Sequence, residues 1–192
     1  NEQFIYVSTL GGNLFKINKK SGEIIWKLEL DKSTFTSPIL NAFLKAIFIG
    51  TCGGTFYSID MEQSIINWRF STLGQPIFSN ACLDNEESNV IFGSHDCFIY
   101  CLDQKSGILQ WKVCFNNKIY ATSFYFNQNL ACLDVNGNFT ILNSKNGKRL
   151  FEKKLLSDKN EKNKLFFSSP LVYQNIAYFG CRDNYLYCLK FE

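Results

Sequence analysis

An incomplete β-propeller, an all-β fold, is what this sequence predicts. Three observations predict it: a period near 42 residues, four strand-like runs in each full period, and no sustained apolar spacing of 3.6 over a helix length. The period is set by aromatics. Trp26, Trp68 and Trp111 lie 42 and 43 residues apart, and Phe151 follows 40 later. Further columns align on these anchors. Gly22, Ser64, Gly107 and Gly147 stand four residues before the aromatic, Asn18, Asp60, Asp103 and Asn143 eight before it, and Ser8, Gly50, Gly93 and Leu133 eighteen before it. A pair of small residues follows each aromatic: Ser37-Pro38, Ser79-Asn80, Thr122-Ser123 and Ser169-Pro170. A fifth copy opens at Ile176-Ala177-Tyr178-Phe179-Gly180 and has no aromatic of this column. About four and a half four-stranded blades are expected, in one incomplete propeller domain over 1–192, with blade portions 1–33, 34–75, 76–118, 119–165 and 166–192.

The third unit shows why each run reads as a strand. Ile77 to Leu83 is expected as its first strand, Val90-Ile91-Phe92 as its second, Phe98 to Leu102 as its third and Gln110 to Val113 as its fourth; Tyr120 to Tyr125 then opens the next unit. These runs are β-branched and aromatic and are bounded by Gly, Asp, Asn and Ser. Between third and fourth strands, Asp103-Gln104-Lys105-Ser106-Gly107 puts a carboxylate where it accepts from amides two and three residues on, and Gly107 where the chain needs φ > 0. Asn18 to Gly22 and Asn143 to Gly147 repeat this chemistry, and Asp60 leads it in the second unit, where Ser64 replaces the glycine. The second and third strands are almost continuously apolar, as strands covered on both faces by neighbouring blades would be. The aromatic column is expected to wedge between blades near the rim, a structural role. The first unit lacks its inner strand and the last its outer one, so further blades are expected upstream of Asn1.

Composition excludes several classes. With 16% aromatic and 46% apolar residues the chain is not disordered, and 12 Gly with 3 Pro exclude a collagen-like one. No apolar run approaches the ~20 residues of a membrane-spanning helix. The balance of 20 basic against 17 acidic residues argues against nucleic-acid or membrane-surface partners. Eight scattered cysteines in a chain with its own core suit reduced, small apolar fillers and a cytoplasmic setting.

Units of the form Asp-x-x-Ser-Gly-x-x-x-Trp, as in Asp103 to Trp111, resemble the repeats of quinoprotein-type propellers, found in pyrroloquinoline quinone-dependent dehydrogenases and in bacterial envelope scaffolds. Three longer strings resemble one animal family more closely. Phe92 to Cys101, Ile119-Tyr120-Ala121-Thr122 and Gly180 to Leu189 are similar to the last blades of the beta-alanine-activating enzyme family, also called the 2-aminoadipic 6-semialdehyde dehydrogenase or acyl-CoA synthetase family member 4 family. That resemblance implies a parent in which an adenylation domain and a phosphopantetheine carrier precede the propeller. The parent would use ATP and Mg to activate a carboxylic acid such as beta-alanine and load it onto the carrier. The fragment itself would then be a non-catalytic interaction or regulatory module, with no cofactor or metal of its own. Its partners would be the adenylation and carrier domains, the missing blades and other proteins. The alternatives are a pyrroloquinoline quinone-binding oxidoreductase and an envelope scaffold.

Individual residues offer little catalytic chemistry. His95, the sole histidine, and Asp96 fall at a turn, where adjacent side chains diverge, so no triad-like pair is expected and local backbone hydrogen bonding is the plain reading. Cys97 and Cys101, read as sharing a strand face, would be too far apart for one zinc or a disulfide. The quinone sites that the dehydrogenase resemblance implies need adjacent cysteines and an inner-face tryptophan, and this chain has no adjacent cysteines. Arg182-Asp183 falls at the same turn as His95-Asp96. Those four residues, with Thr51-Cys52 and Asp134 to Asn136 beside them, are the candidate partner-binding face. Glu152 to Lys164 reads as a solvated surface insertion.

Overall fold

The computed structural model describes residues 3–84, 88–155 and 165–191. Its elements are all strands. Blade 1 is β1 (Phe4–Ser8), β2 (Asn13–Asn18) and β3 (Ile24–Glu29); blade 2 is β4 (Ile39–Asn41), β5 (Ala46–Gly50), β6 (Thr55–Asp60) and β7 (Ile66–Ser71). Blade 3 is β8 (Cys82–Leu83), β9 (Asn89–Gly93), β10 (Phe98–Asp103) and β11 (Leu109–Cys114); blade 4 is β12 (Phe124–Phe126), β13 (Asn129–Leu133), β14 (Asn138–Asn143) and β15 (Arg149–Lys154). Blade 5 is β16 (Leu171–Tyr173), β17 (Ile176–Gly180) and β18 (Leu186–Lys190). Each blade is an antiparallel meander in chain order, three-stranded at the two ends and four-stranded between. Inner strand β12 touches its counterparts β8 and β16.

Blades stack face to face, and each interface is its own core. Leu14 of blade 1 packs with Ile47, Ile49, Tyr57 and Ile59 of blade 2. Phe48 and Phe56 of blade 2 meet Phe92 and Tyr100 of blade 3, with Phe56 and Phe92 stacked at 4.0 Å. Ile99 and Cys101 face Leu130, Cys132 and Leu142, and Phe139 faces Phe179. Burial from both sides is why all five residues of β5 are buried and why its sequence does not alternate.

The repeat columns fix how blades lock. In every outer strand the ladder slips by one residue just before the aromatic, opposite Lys16/Ile17, Ser58/Ile59, Cys101/Leu102 and Ile141/Leu142. Such a bulge re-aims a side chain. The indole N–H groups of Trp26, Trp68 and Trp111 then donate to the carbonyls of Met61, Gln104 and Ser144 in the next blade, at 3.3, 2.9 and 3.0 Å. Under Trp68 and Trp111 the turn residue is glycine, and a Cβ on Gly107 would sit 2.6 Å from Trp68 and one on Gly147 2.9 Å from Trp111. Both glycines also hold φ near +70°, closing the turns whose amides donate to Asp103 and Asn143. Ser64 holds φ +55° in the glycine-less turn led by Asp60.

Some local expectations fail. The inner strands of blades 3 and 4 are far shorter than Ile77–Leu83 and Tyr120–Tyr125, because the residues before them pair with neighbouring strand ends instead of a ladder: Ser79 Oγ donates to the Gly93 carbonyl and accepts from its amide. The small-residue column is also shifted in blade 3. Ser37 N–H donates to Asn80 Oδ1, Asn80 N–H to Thr122 Oγ1 and Thr122 N–H to Ser169 Oγ, at 2.7, 3.0 and 3.0 Å, so Asn80 and not Ser79 is the counterpart of Ser37. Cys97 lies in the turn before β10 at φ +72°, where Gly12, Gly54 and Gly137 stand in other blades, so it shares no strand face with Cys101. Of the stretch Glu152–Lys164, Glu152 to Lys154 belong to β15, and 156–164 fall outside the described residues.

Candidate functional site

The most chemically distinctive surface lies where the inner strands begin. Phe35, Phe78, Tyr120 and Phe167 each stand four residues before the inner strand of their blade. Their rings run in a row from blade to blade, at centroid distances of 5.2, 5.7 and 4.7 Å, edge-on, stacked and edge-on in turn. Local sequence sets this row. Ile77 and Ile119, each one residue earlier, are fully buried, and they fit because the neighbouring second strand ends in glycine. A Cβ on Gly50 would fall 2.4 Å from Ile77, and one on Gly93 2.2 Å from Ile119. With the isoleucine anchored inward, the next residue is turned out onto the rim.

The turns between second and third strands frame the same rim. The amides of Cys52, His95, Val135 and Arg182 donate to the carbonyls of Ser33, Pro76, Lys118 and Leu165 in the segments that carry the rings. His95 and Arg182 are therefore equivalent positions. Arg182 lays its guanidinium 5.3 Å from the Phe167 ring centre, a cation–π contact. His95 instead sits between Phe78 and Tyr120, at 4.6 and 4.3 Å, and is only 9% exposed. Its Nε2 is buried and has no hydrogen-bond partner among the described residues. Burial, reinforced by the Lys118 ammonium and opposed by Asp96, lowers its pKa to about 4, so the imidazole is neutral at pH 7.

Asp96 and Asp183 face inward to the blades. Asp96 accepts from the Tyr100 hydroxyl at 2.5 Å and from the Phe98 amide, and Asp183 accepts from the Tyr187 hydroxyl at 2.6 Å and from the Tyr185 amide. Burial and the bond to Asp96 raise the Tyr100 pKa. Asp134 of blade 4 is fully buried and accepts from Asn117, Asn136 and Asn138. The structure thus brings His95 and Arg182 to one aromatic rim and assigns Asp96 and Asp183 to holding their turns. The turn pair bonds backbone through Asp96 and the His95 amide, while the His95 ring packs on rings from two blades.

At the ends of the row Phe35 and Phe167 are exposed at 60% and 39% and offer apolar faces. Among the described residues no cluster of three or more His, Cys, Asp or Glu is arranged to hold a metal ion. The three indoles spend their N–H groups on carbonyls of the following blade. The aromatic row itself was missed by sequence reading. Its signal was there once Asn80 takes its place in the column: an aromatic stands two residues before each of Ser37, Asn80, Thr122 and Ser169.

Comparisons with known proteins follow the same lines. The model of a family described as "Beta-alanine-activating enzyme, beta-propeller" matches residues 1–191. The beta-alanine-activating enzyme of Homo sapiens is 41% identical over 115 residues, covering 56% of this chain and 10% of the human protein. That of Drosophila melanogaster is 28% identical over 209 residues, covering 98% of this chain and 20% of the fly protein. Among solved structures, BamB from Moraxella catarrhalis superposes with a TM-score of 0.81 at 17% identity, covering 98% of this chain and 55% of BamB. The computationally designed Ika8 protein gives 0.83 at 11% identity, covering 100% and 56%. The last two likenesses speak to fold alone, and the chain spans at most a fifth of these two curated relatives.

Proposed function

The chain belongs to the beta-propeller family of the beta-alanine-activating enzyme, and from that premise we propose that it is a non-catalytic interaction module of a multidomain carboxylate-activating enzyme. In this reading ATP, Mg and the phosphopantetheine group are handled by other domains, which load an amino acid such as beta-alanine onto the carrier in the cytoplasm. The propeller's aromatic rim receives the carrier or adenylation domain. The observation that carries the reading is the rim itself: exposed Phe35 and Phe167 in one row with Phe78 and Tyr120, over a buried histidine held neutral at pH 7. Apolar rings grouped on a polar surface favour contact with another protein over bond-making chemistry.

The test is made in the full parent enzyme with Phe35→Ser and Phe167→Ser combined. Amino-acid-dependent ATP–pyrophosphate exchange is expected to persist, while thioester formation on the carrier falls and cross-links between carrier or adenylation domain and the rim are lost. Unchanged loading with unchanged cross-links would sink the proposal. Loss of exchange activity in His95→Gln alone would favour a catalytic propeller instead.

A further inference from the structure

One lysine breaks the repeat at a position that the other blades keep uncharged. Lys16 on β2 pairs in the ladder with Trp26, as Ser58 pairs with Trp68, Cys101 with Trp111 and Ile141 with Phe151. All four residues are buried, Lys16 at 6% exposure. An ammonium carries three donors. The Met61 carbonyl accepts from this one at 3.0 Å, and the same oxygen also takes the Tyr6 hydroxyl and the Trp26 indole N–H, each at 3.3 Å. The ammonium lies 4.4 Å from the Phe4 ring centre and 5.9 Å from that of Tyr6. Among the described residues no carboxylate pairs with it, and Glu62 is engaged by Lys45 at 3.4 Å. Tyr6 is no internal counter-ion either: burial, reinforced by Glu62 and Asp60, raises its pKa and keeps the phenol neutral. A buried charge is costly unless it is paired and hydrogen-bonded, so the position calls for an anion.

Lys16 lines a cavity of about 340 Å³ between blades 1 and 2. Blade 1 also contributes the rings of Phe4 and Tyr6 to it, and blade 2 contributes Ala42 and Met61, with Lys45 and Glu62 at the exposed edge. We infer that this cavity binds a small organic monocarboxylate, with its carboxylate on the Lys16 ammonium and its apolar body against Phe4 and Tyr6. The volume and the few polar groups set in a ring-lined wall are those of a small-molecule site. The lining carries one net positive charge, that of Lys16, because Lys45 and Glu62 offset each other. A single compact ammonium, with no guanidinium fork beside it, suits a monoanion over a phosphate. Ala42 and Lys45 belong to the β4–β5 turn, and Met61 and Glu62 to the β6–β7 turn. The meander places both turns at the end of the blade opposite the β5–β6 turn, and so opposite the aromatic rim. The inference therefore stands apart from the role proposed for the rim.

The test uses the parent protein and 4-fluorobenzoate, followed by fluorine NMR, with 4-fluorobenzyl alcohol and 4-fluorobenzylamine as neutral and cationic analogues. Saturable binding of the benzoate is expected, roughly tenfold or more tighter than that of either analogue, and an equal concentration of inorganic phosphate is expected not to displace it. Lys16→Met puts an apolar side chain of similar length where blade 4 has Ile141, so the fold is expected to persist, as read by thermal melting. The variant is expected to weaken benzoate binding roughly tenfold or more. Ala42→Leu narrows the cavity while keeping the ammonium, and is expected to weaken binding likewise. Carboxylate sites in other domains of the parent keep their affinity in both variants, so the binding lost is that of the cavity. Binding that is unchanged in either folded variant overturns the inference. Equal binding of the alcohol, displacement by phosphate, or no saturable binding of the benzoate also overturns it.

Discussion

The ring of Trp68 rests on Gly107 of the following blade while its N–H reaches Gln104 O at 2.9 Å, so one side chain makes both a packing contact and a polar contact across the same interface. The two separate by substitution. Trp68→Phe keeps most of the ring and loses the donor, which is expected to cost about 1 kcal/mol in urea unfolding. Trp68→Ala removes both and is expected to cost ~3 kcal/mol. Equal costs for the two variants would show that the hydrogen bond carries the contact.

Gly93 allows a test of how the aromatic rim is held. Gly93→Ala puts a methyl where Ile119 Cγ2 already sits, 2.2 Å away, so Ile119 is displaced and Tyr120 with it. A loss of about 2 kcal/mol is expected, together with a change in the ring-current shifts of His95. Pairing it with Ile119→Ala is expected to recover part of the stability lost by Gly93→Ala.

The pH response of His95 follows from its lowered pKa. Unfolded, the imidazole titrates near its ordinary 6.5; folded, near 4, so between those values the unfolded chain binds more protons. The contribution is therefore intact above pH 6.5 and lost as pH falls toward 4. His95→Phe is expected to flatten the acid-side decline in melting temperature over this window; an identical slope in wild type and variant would contradict the assignment.

Asp96 and Tyr100 form a short bond of 2.5 Å at the base of the His95 turn. Asp96→Ala is expected to cost ~2 kcal/mol, and a double-mutant cycle with Tyr100→Phe to give a coupling of about 1 kcal/mol. A coupling near zero would mean that the turn amides alone hold the aspartate.

Thiol chemistry divides by burial. Burial raises the pKa of Cys82, Cys101 and Cys132, that of Cys132 to about 12, whereas Cys114 and Cys188 are exposed. Native alkylation is expected to modify Cys114 and Cys188 first, and Cys82, Cys101 and Cys132 only on unfolding, as read by peptide mass.

Much of the architecture was legible because a propeller repeats its chemistry. Trp26, Trp68 and Trp111 mark outer strands, Asp103 and Gly107 mark a turn with one backbone solution, and the apolar run at Ile47–Ile49 marks a strand covered on both sides. What escaped depended on contacts between blades. Ser79 and Asn80 are both small and polar, and only the hydrogen bond from Ser37 shows which one holds the column. The burial of His95 arises from rings 17 residues before and 25 after it, a meeting that no local pattern encodes. Cys97 looked like a strand residue because the left-handed conformation it adopts is usually given to glycine.

Because Trp68 and Trp111 each fit a glycine in the following blade, the heritable unit straddles two repeats. Gene duplication or loss of one whole period leaves such pairs matched, whereas exchange within a period separates donor from acceptor. A lineage can thus lengthen or shorten the arc in whole steps, and compensating changes are to be sought some 40 positions apart, between neighbouring copies.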